Sequence, residues 1–303
     1  MKASTRITIT DDNGIKFFGE GPWQLLRGIE ETGSLRSAAL SMEMAYSKAT
    51  RLLKQAEASL GFPLTTRTTG GRDGGGSRLT SGGKAWLDAY EAYRDACIQA
   101  NGELFRKFFP RVGCVIMASG LGKRFGSNKL MADFRGEPLF LQALRASEGL
   151  GTCRVVVTRH EEVARLCRQR NVRVILHDLP HRSDTVRLGL EALGDLEGCL
   201  FLPADQPLLR RETVEALVAA WKEHPQSILR PVCQDRPGAP VLFPAWAFPE
   251  LRTLPQGKGG CWVIRQHPGQ IIPMPIEDPL ELADADTPEA LEFLKQQCER
   301  EKL

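Results

Sequence analysis

Arg111-Val112-Gly113-Cys114-Val115-Ile116-Met117-Ala118-Ser119-Gly120-Leu121-Gly122-Lys123-Arg124-Phe125-Gly126-Ser127-Asn128-Lys129-Leu130 decides how the larger part of this chain folds. Its first eight residues form a nearly continuous apolar run, the mark of a strand buried on both faces of a parallel sheet. A loop punctuated by glycine then leaves the strand end, where several backbone N–H groups can converge on a phosphate. Lys123, Arg124 and Lys129 place positive charge around it. No Gly-Lys-Ser/Thr closes the loop, so it is not a Walker loop. The spacing Gly120-x-Gly122-x-x-x-Gly126 is also wrong for a dinucleotide fingerprint.

Moving outward, strand-like runs recur at Arg154–Thr158, Val172–Leu176 and Cys199–Pro203, with helical patterns at Glu161–Gln169, Thr185–Leu193 and Glu212–Lys222. Strand and helix alternate. The pattern predicts a doubly wound, Rossmann-like α/β domain over 111–303, with ligands beyond the carboxyl ends of the strands. Pro203-Ala204-Asp205-Gln206-Pro207 puts a carboxylate at one such end, between prolines that stiffen the turn. Leu282-Ala283-Asp284-Ala285-Asp286-Thr287-Pro288 adds two more before a helix, with Thr287 placed as its cap. Carboxylates facing a phosphate loop suit Mg²⁺, which takes a few hard oxygen ligands and leaves positions for phosphate and water. Asp205 is one expected ligand, and Asp286 is favoured over Asp284 as the other.

The 303 residues, 42% hydrophobic and 25% charged, suit two globular domains and exclude a coiled coil or a disordered chain. No apolar run has the length of a membrane span, and Met1-Lys2-Ala3-Ser4-Thr5 opens no signal peptide, so a cytoplasmic protein without membrane contact is expected. Eight scattered cysteines with no Cys-x-x-Cys point to reduced thiols and away from zinc. The net charge of +3 is unevenly placed: residues 1–110 hold 15 Lys and Arg against 12 Asp and Glu, and the remainder holds 25 of each. A polyanion partner is therefore expected for the first part alone.

That part, 1–108, opens with an alternating strand at Arg6–Thr10. A helix follows from Pro22 to Gly33, then a short one at Leu35–Ser41 capped by Ser34, then one at Tyr46–Glu57. The last buries Ala49, Leu52, Leu53 and Ala56 and turns Lys48, Arg51 and Lys54 outward, a helix-turn-helix with a basic outer side. Pro63–Arg67 and Ser77–Thr80 flank a glycine-rich tip carrying Arg72, with Arg78 just beyond, as the wing of a winged helix does. A long helix runs from Ser81 to Phe108. Lys48, Arg51, Lys54, Arg72 and Arg78 are the expected contacts to duplex DNA, through phosphate charge.

Gly33-Ser34, Ala45-Tyr46-Ser47-Lys48-Ala49 and above all Thr69-Gly70-Gly71-Arg72-Asp73-Gly74-Gly75-Gly76-Ser77-Arg78-Leu79-Thr80 resemble the DNA-binding domain of the molybdate-responsive regulator ModE, itself similar to LysR-type winged helices. That resemblance implies DNA binding, or dimerisation alone, with the last helix pairing two subunits into a homodimer. Glu43 departs from it, standing where the turn usually has glycine.

The loop, the Asp205 and Asp284–Asp286 motifs, Arg182-Ser183-Asp184-Thr185-Val186-Arg187-Leu188-Gly189-Leu190, Gly238-Ala239-Pro240-Val241-Leu242-Phe243 and Gly257-Lys258-Gly259-Gly260 resemble the MobA-like nucleotidyltransferases, which include molybdenum cofactor cytidylyltransferase and guanylyltransferase. The implied reaction moves CMP from CTP onto the phosphate of a molybdopterin-type molybdenum cofactor and releases pyrophosphate. By this resemblance Ala118, Ser119, Gly120, Gly122, Lys123, Arg124, Ser183, Asp184 and Asp205 face the nucleotide. Lys129 stabilises the α-phosphate, Arg124 holds the β- and γ-phosphates, and Asp205 and Asp286 hold Mg²⁺.

Ser119 stands where the cytidylyltransferases have alanine and the guanylyltransferases glycine, and Cys261 where relatives have Ala or Arg. A side chain at 119 narrows the room beside the base, which favours CTP over GTP. Three alternatives stay open: the same reaction with GTP, another phosphorylated acceptor, and a molybdenum-responsive regulator whose transferase domain serves as a nucleotide or cofactor sensor.

Overall fold

A computed structural model describes residues 3–68, 76–122, 124–150 and 152–300. Its contacts divide the chain into two units, 1–108 and 109–303.

The first unit starts with a small antiparallel hairpin, β1 (Ile9–Thr10) and β2 (Lys16–Phe18). The expected strand at Arg6–Thr10 shrinks to its last two residues, and β2 is an addition to the sequence reading. Helices α1 (Glu20–Thr32), α2 (Leu35–Ser41) and α3 (Tyr46–Leu60) follow. The Ser34 hydroxyl accepts the Ser37 N–H at 3.3 Å, capping α2 as its place before the helix predicts.

Leu25, Leu26 and Ile29 of α1, Ala38 and Ala39 of α2, and Ala49, Leu53 and Ala56 of α3 close on one core. The small residues of α2 let the helices approach closely. The turn between α2 and α3 places Glu43 at φ 52°, a left-handed backbone that glycine adopts without strain. Strands β3 (Thr65–Thr68) and β4 (Gly76–Leu79) pair antiparallel, with Thr65 opposite Leu79 and Thr68 opposite Gly76. The tip between them, with Arg72, lies outside the described residues. α4 (Ser81–Phe108) ends the unit, contributing Leu87 and Tyr90 to the core. Beyond them Tyr93, Ile98, Leu104 and Phe108 are exposed.

In the second unit β5 (Val112–Ala118) leads into the glycine loop. A small hairpin, β6 (Asp133–Phe134) and β7 (Glu137–Pro138), then precedes α5 (Phe140–Ala146). The chain continues through β8 (Cys153–Thr158), α6 (Glu161–Gln169), β9 (Val174–Leu176), α7 (Arg182–Leu193), β10 (Gly198–Pro203) and α8 (Arg211–Glu223). It closes with β11 (Ile228–Cys233), β12 (Arg236–Pro237), β13 (Val241–Pro244), α9 (Phe248–Arg252), α10 (Cys261–Gln266), β14 (Ile271–Pro275) and α11 (Pro288–Arg300).

The main sheet runs β12-β11-β13-β10-β5-β8-β9, with β14 parallel to β11. β10, β5, β8 and β9 are mutually parallel, and β13 pairs antiparallel to β10. One face buries Trp221, Leu217 and Phe140, and the other buries Val186, Leu190 and Phe243. Such a sheet, covered on both faces, explains why β5 and β10 are apolar throughout. α7 packs so tightly on β5 that a Cβ on Gly189 would lie 2.5 Å from a Val115 methyl. All eight cysteines are free thiols. Among the described residues no helix is long and apolar enough to cross a membrane.

Candidate active site

β5 and β10 lie side by side with Met117 opposite Pro203, but the chain leaves β5 towards β8 and β9 before returning to form β10 on the other side. Where a parallel sheet changes direction in this way, a crevice opens beyond its carboxyl ends. The loop after β5 folds back on itself through Gly122, at φ 57°, whose carbonyl accepts the Phe125 N–H at 2.8 Å. A short 3₁₀ turn at Lys129–Met131 then drives Lys129 inward.

Lys129 is only 7% exposed. Its Nζ donates to Asp205 Oδ2 at 2.6 Å and to Asp286 Oδ1 at 2.8 Å. Arg124 donates to the other Asp286 oxygen at 2.5 Å. The Ala285 N–H donates to the Asp205 carbonyl at 2.9 Å, fastening the 284–286 segment to the end of β10. Burial opposes the ammonium charge, but attraction and hydrogen bonding to Asp205, then to Asp286, outweigh it and raise the Lys129 pKa. The hydrogen bond from Lys129 chiefly holds Asp286 below the usual carboxylate range, against the effect of burial and with the charges of Lys129 and Arg124 assisting. Asp284 goes the other way, up to about 6, through desolvation first and the nearby Asp205 charge second. Its surface is partly open to water, which softens that shift.

Three carboxylates thus crowd the mouth of one crevice, one of them short of positive charge. Hard, crowded oxygen donors fit a small divalent cation. Among the described residues no three His, Cys, Asp or Glu form a ready-made cage, but Mg²⁺ characteristically takes one or two carboxylates and completes its shell with phosphate and water.

The crevice widens into a cavity of about 700 Å³. Of the residues singled out from sequence, Ser119, Gly120, Arg124, Lys129, Asp205 and Asp286 line it, as does Asp284. Ala118 sits behind the wall, its carbonyl accepting the Thr158 hydroxyl at 2.9 Å, and Gly122 serves the turn. Lys123 lies outside the described residues. Ser183 and Asp184 stand off the cavity lining: Ser183 is buried, and the Asp184 carboxylate accepts the His181 N–H at 3.1 Å, capping α7. Their neighbours Arg182 and Thr185 line the cavity instead. The helix starts three residues before the expected Thr185, and 182 and 185 share a face at helical spacing. Thr185 is 1% exposed, and its hydroxyl has no hydrogen-bond partner among the described residues.

Histidines brace the loop from behind, a feature absent from the sequence reading. Ser119 Oγ lies 3.0 Å from the Val157 carbonyl and 2.8 Å from His177 Nε2. The single hydroxyl proton belongs to the carbonyl, which can only accept, so Nε2 carries hydrogen and donates. Burial, then the Arg159 charge, lower the His177 pKa and favour this neutral ring. His160 Nε2 is 2.8 Å from the Gly120 carbonyl. The loop's first turn is therefore anchored before any ligand arrives.

In the first unit Lys48, Arg51 and Lys54 of α3 and Arg78 of β4 are exposed, with Ala49, Leu53 and Ala56 turned to the core. Arg72 lies outside the described residues.

A parallel switch-point sheet with a glycine loop, a buried lysine and strand-end carboxylates defines a nucleotidyltransferase-type domain, and a winged helix-turn-helix precedes it. Comparison with known proteins agrees for both units. A model of the MobA-like NTP transferase domain matches residues 114–271, and one of the LysR-family bacterial regulatory helix-turn-helix matches 23–84. The chain belongs to the MobA-like NTP transferase family. It is 30% identical over 125 residues to a protein of Bacillus velezensis named "Probable molybdenum cofactor guanylyltransferase", covering 40% of this chain and 61% of that one. It is 29% identical over 131 residues to 2-C-methyl-D-erythritol 4-phosphate cytidylyltransferase of Bacillus licheniformis, covering 40% and 57%. The chain thus spans about three-fifths of the length of these relatives. A nucleotidyl transferase from Methanothermobacter thermautotroptrophicus shares the fold, with a TM-score of 0.54 at 20% identity, over 63% of this chain and 99% of that one.

Proposed function

We propose that this chain transfers CMP from CTP to the terminal phosphate of a molybdopterin-type molybdenum cofactor, releasing pyrophosphate. The observation that carries the reading is Lys129, buried and held by Asp205 and Asp286 beneath the glycine loop at the sheet's switch point. An acceptor phosphate oxygen, already anionic near neutral pH, forms the new bond to the α-phosphorus. The bond from that phosphorus to the oxygen bridging towards the β-phosphate breaks, and its electron pair leaves with pyrophosphate. No general base is required; positioning and charge neutralisation carry the rate.

Lys129 neutralises charge on the α-phosphate, and Arg124 and the loop amides hold the β- and γ-phosphates. Asp205 and Asp286 would hold Mg²⁺, which supplies Lewis-acid polarisation of phosphoryl oxygens when bound. A phosphate entering between Lys129 and Asp286 exchanges one oxyanion partner of the ammonium for another. Ser119, locked by His177 and Val157, narrows the base side. That narrowing supports a pyrimidine, and Thr185 lines the same cavity.

The exposed basic side chains of α3 and β4 support binding of the first unit to duplex DNA. The bare apolar residues of α4 support a homodimer. The reading is tested by pyrophosphate release from each nucleoside triphosphate with Mg²⁺ and molybdenum cofactor, where CTP is expected to lead by several-fold. Equal or faster release with GTP overturns the base assignment.

A further inference from the structure

The cavity wall carries two further cations, Arg230 and Arg182. In the sheet Leu229 pairs with Leu242 and Leu242 with Leu200, while Val241 pairs with Phe201. Antiparallel register then brings Arg230 of β11 level with Val241 and Phe201, in one row across three strands. All three line the cavity. Two strand spacings put the base of Arg230 ~10 Å to the side of β10, whose continuation carries Asp205.

The Arg230 guanidinium donates from Nη2 to the Gly238 carbonyl at 3.1 Å. Its Nε is shut off from solvent without a partner, and no carboxylate pairs with it among the described residues. Arg182, from the first turn of α7, comes to the same side: its Cδ and Nε lie 3.2 Å from where a Cβ on Gly259 would be. It too has no acidic partner among the described residues, and Cys261 lines the same stretch of wall. At the Lys129 end each cation is matched by an aspartate. Here the charge is uncompensated, and a partly buried charge in that state favours an incoming anion.

We propose that Arg230 binds a second anionic group of the acceptor, at the end remote from its reacting phosphate, with Arg182 adding positive charge to the same cavity wall. The acceptor class is then a small molecule with a phosphate at one end and an oxyanion or similarly charged group at the other. Arg230 is a positioning residue: it holds the far end so that the phosphate points at the α-phosphorus beside Lys129. This deepens the transfer reading above and rests on it for the word acceptor. The anion site itself stands on the side chains alone.

The test uses the full chain, Arg230→Gln and the charge-keeping Arg230→Lys. Cys261, exposed beside the site, reports the local field without any turnover. Its alkylation by anionic iodoacetate is compared with that by neutral iodoacetamide, using peptide mass spectrometry and exposed Cys153 as the internal reference. Wild type and Arg230→Lys are expected to favour iodoacetate at Cys261, and Arg230→Gln to lose that preference several-fold. An unchanged ratio in Arg230→Gln overturns the anion site.

With MgCTP and molybdenum cofactor, Arg230→Gln is expected to raise the acceptor KM about tenfold, as removing a charged hydrogen bond does, with nucleotide affinity unaltered. An equal loss of nucleotide affinity assigns Arg230 to the triphosphate and overturns the proposal. If wild type transfers nothing to this acceptor, the transfer reading fails, and the alkylation ratio still decides the anion site.

Discussion

Lys129 and Asp205, 76 residues apart in the chain, meet at 2.6 Å where β5 and β10 end side by side. Asp205→Asn keeps the size of the side chain and removes its charge. Turnover is expected to fall by more than ~100-fold, beyond the usual cost of losing a residue that merely supports a metal ligand, while the melting temperature stays close to wild type. Near-normal turnover at ordinary Mg²⁺ would take Asp205 out of the metal site. Asp286→Asn is expected to be as damaging and Asp284→Asn milder, because only Asp286 shares the lysine with Asp205.

Thr185→Val replaces an unpartnered hydroxyl with a methyl of the same shape, so stability should hardly change. If that hydroxyl meets the base, KM for the preferred nucleotide rises ~3–10-fold, the range of one hydrogen bond, and CTP and GTP become harder to tell apart. Unchanged kinetics with both nucleotides would exclude Thr185 from the base site.

Gly189→Ala forces a Cβ to within 2.5 Å of Val115. Overpacking of this kind costs ~1–3 kcal/mol. It also pushes α7, with Arg182 and Thr185, away from β5. Urea unfolding should show the loss, and nucleotide affinity should fall with it. A variant as stable as wild type would mean that the helix–strand packing is looser than described.

Acid stability offers a check in the first unit. Glu91 accepts hydrogen bonds from Trp23, at 2.8 Å, and from Arg27. Desolvation would raise its pKa, but the Arg27 and Trp23 hydrogen bonds prevail and lower it. A carboxylate with a depressed folded-state pKa contributes stability above its unfolded value and loses it as pH falls through the folded one. Glu91→Gln should therefore flatten the acid limb of the melting curve below about pH 4.5, the ordinary carboxylate value. An acid limb as steep as wild type would contradict this.

For the winged helix, Arg51→Ala and Lys54→Ala should weaken binding to duplex DNA. They should also reduce the steepness with which affinity falls as salt rises, by about one unit for each phosphate no longer neutralised. A mobility shift on the organism's own molybdenum-gene promoters measures both. A dimer that binds those promoters no better than random duplex leaves the domain an assembly device.

The parallel half of the sheet was legible because β5, β8 and β10 are apolar runs that only a doubly covered sheet accommodates. Asp205 and Lys129 followed, since strand ends and loop starts fix where they lie. The later strands were not legible: Pro231 and Pro237, and Pro273 and Pro275 of β14, argue against a strand unless pairing partners are known. Arg230 went unnoticed with them. Ser183 and Asp184 came from the resemblance alone; the His181–Asp184 cap starts α7 at Arg182, and that turn of helix sets Arg182 and Thr185 on the cavity face instead. The histidines behind the loop come from separate segments and leave no local pattern.

The most direct test mixes the purified chain with Mg²⁺, molybdenum cofactor, and CTP or GTP at equal concentration, and measures pyrophosphate. The account predicts acceptor-dependent release, several-fold faster with CTP and abolished in Asp205→Asn. No acceptor-dependent pyrophosphate with either nucleotide would contradict it.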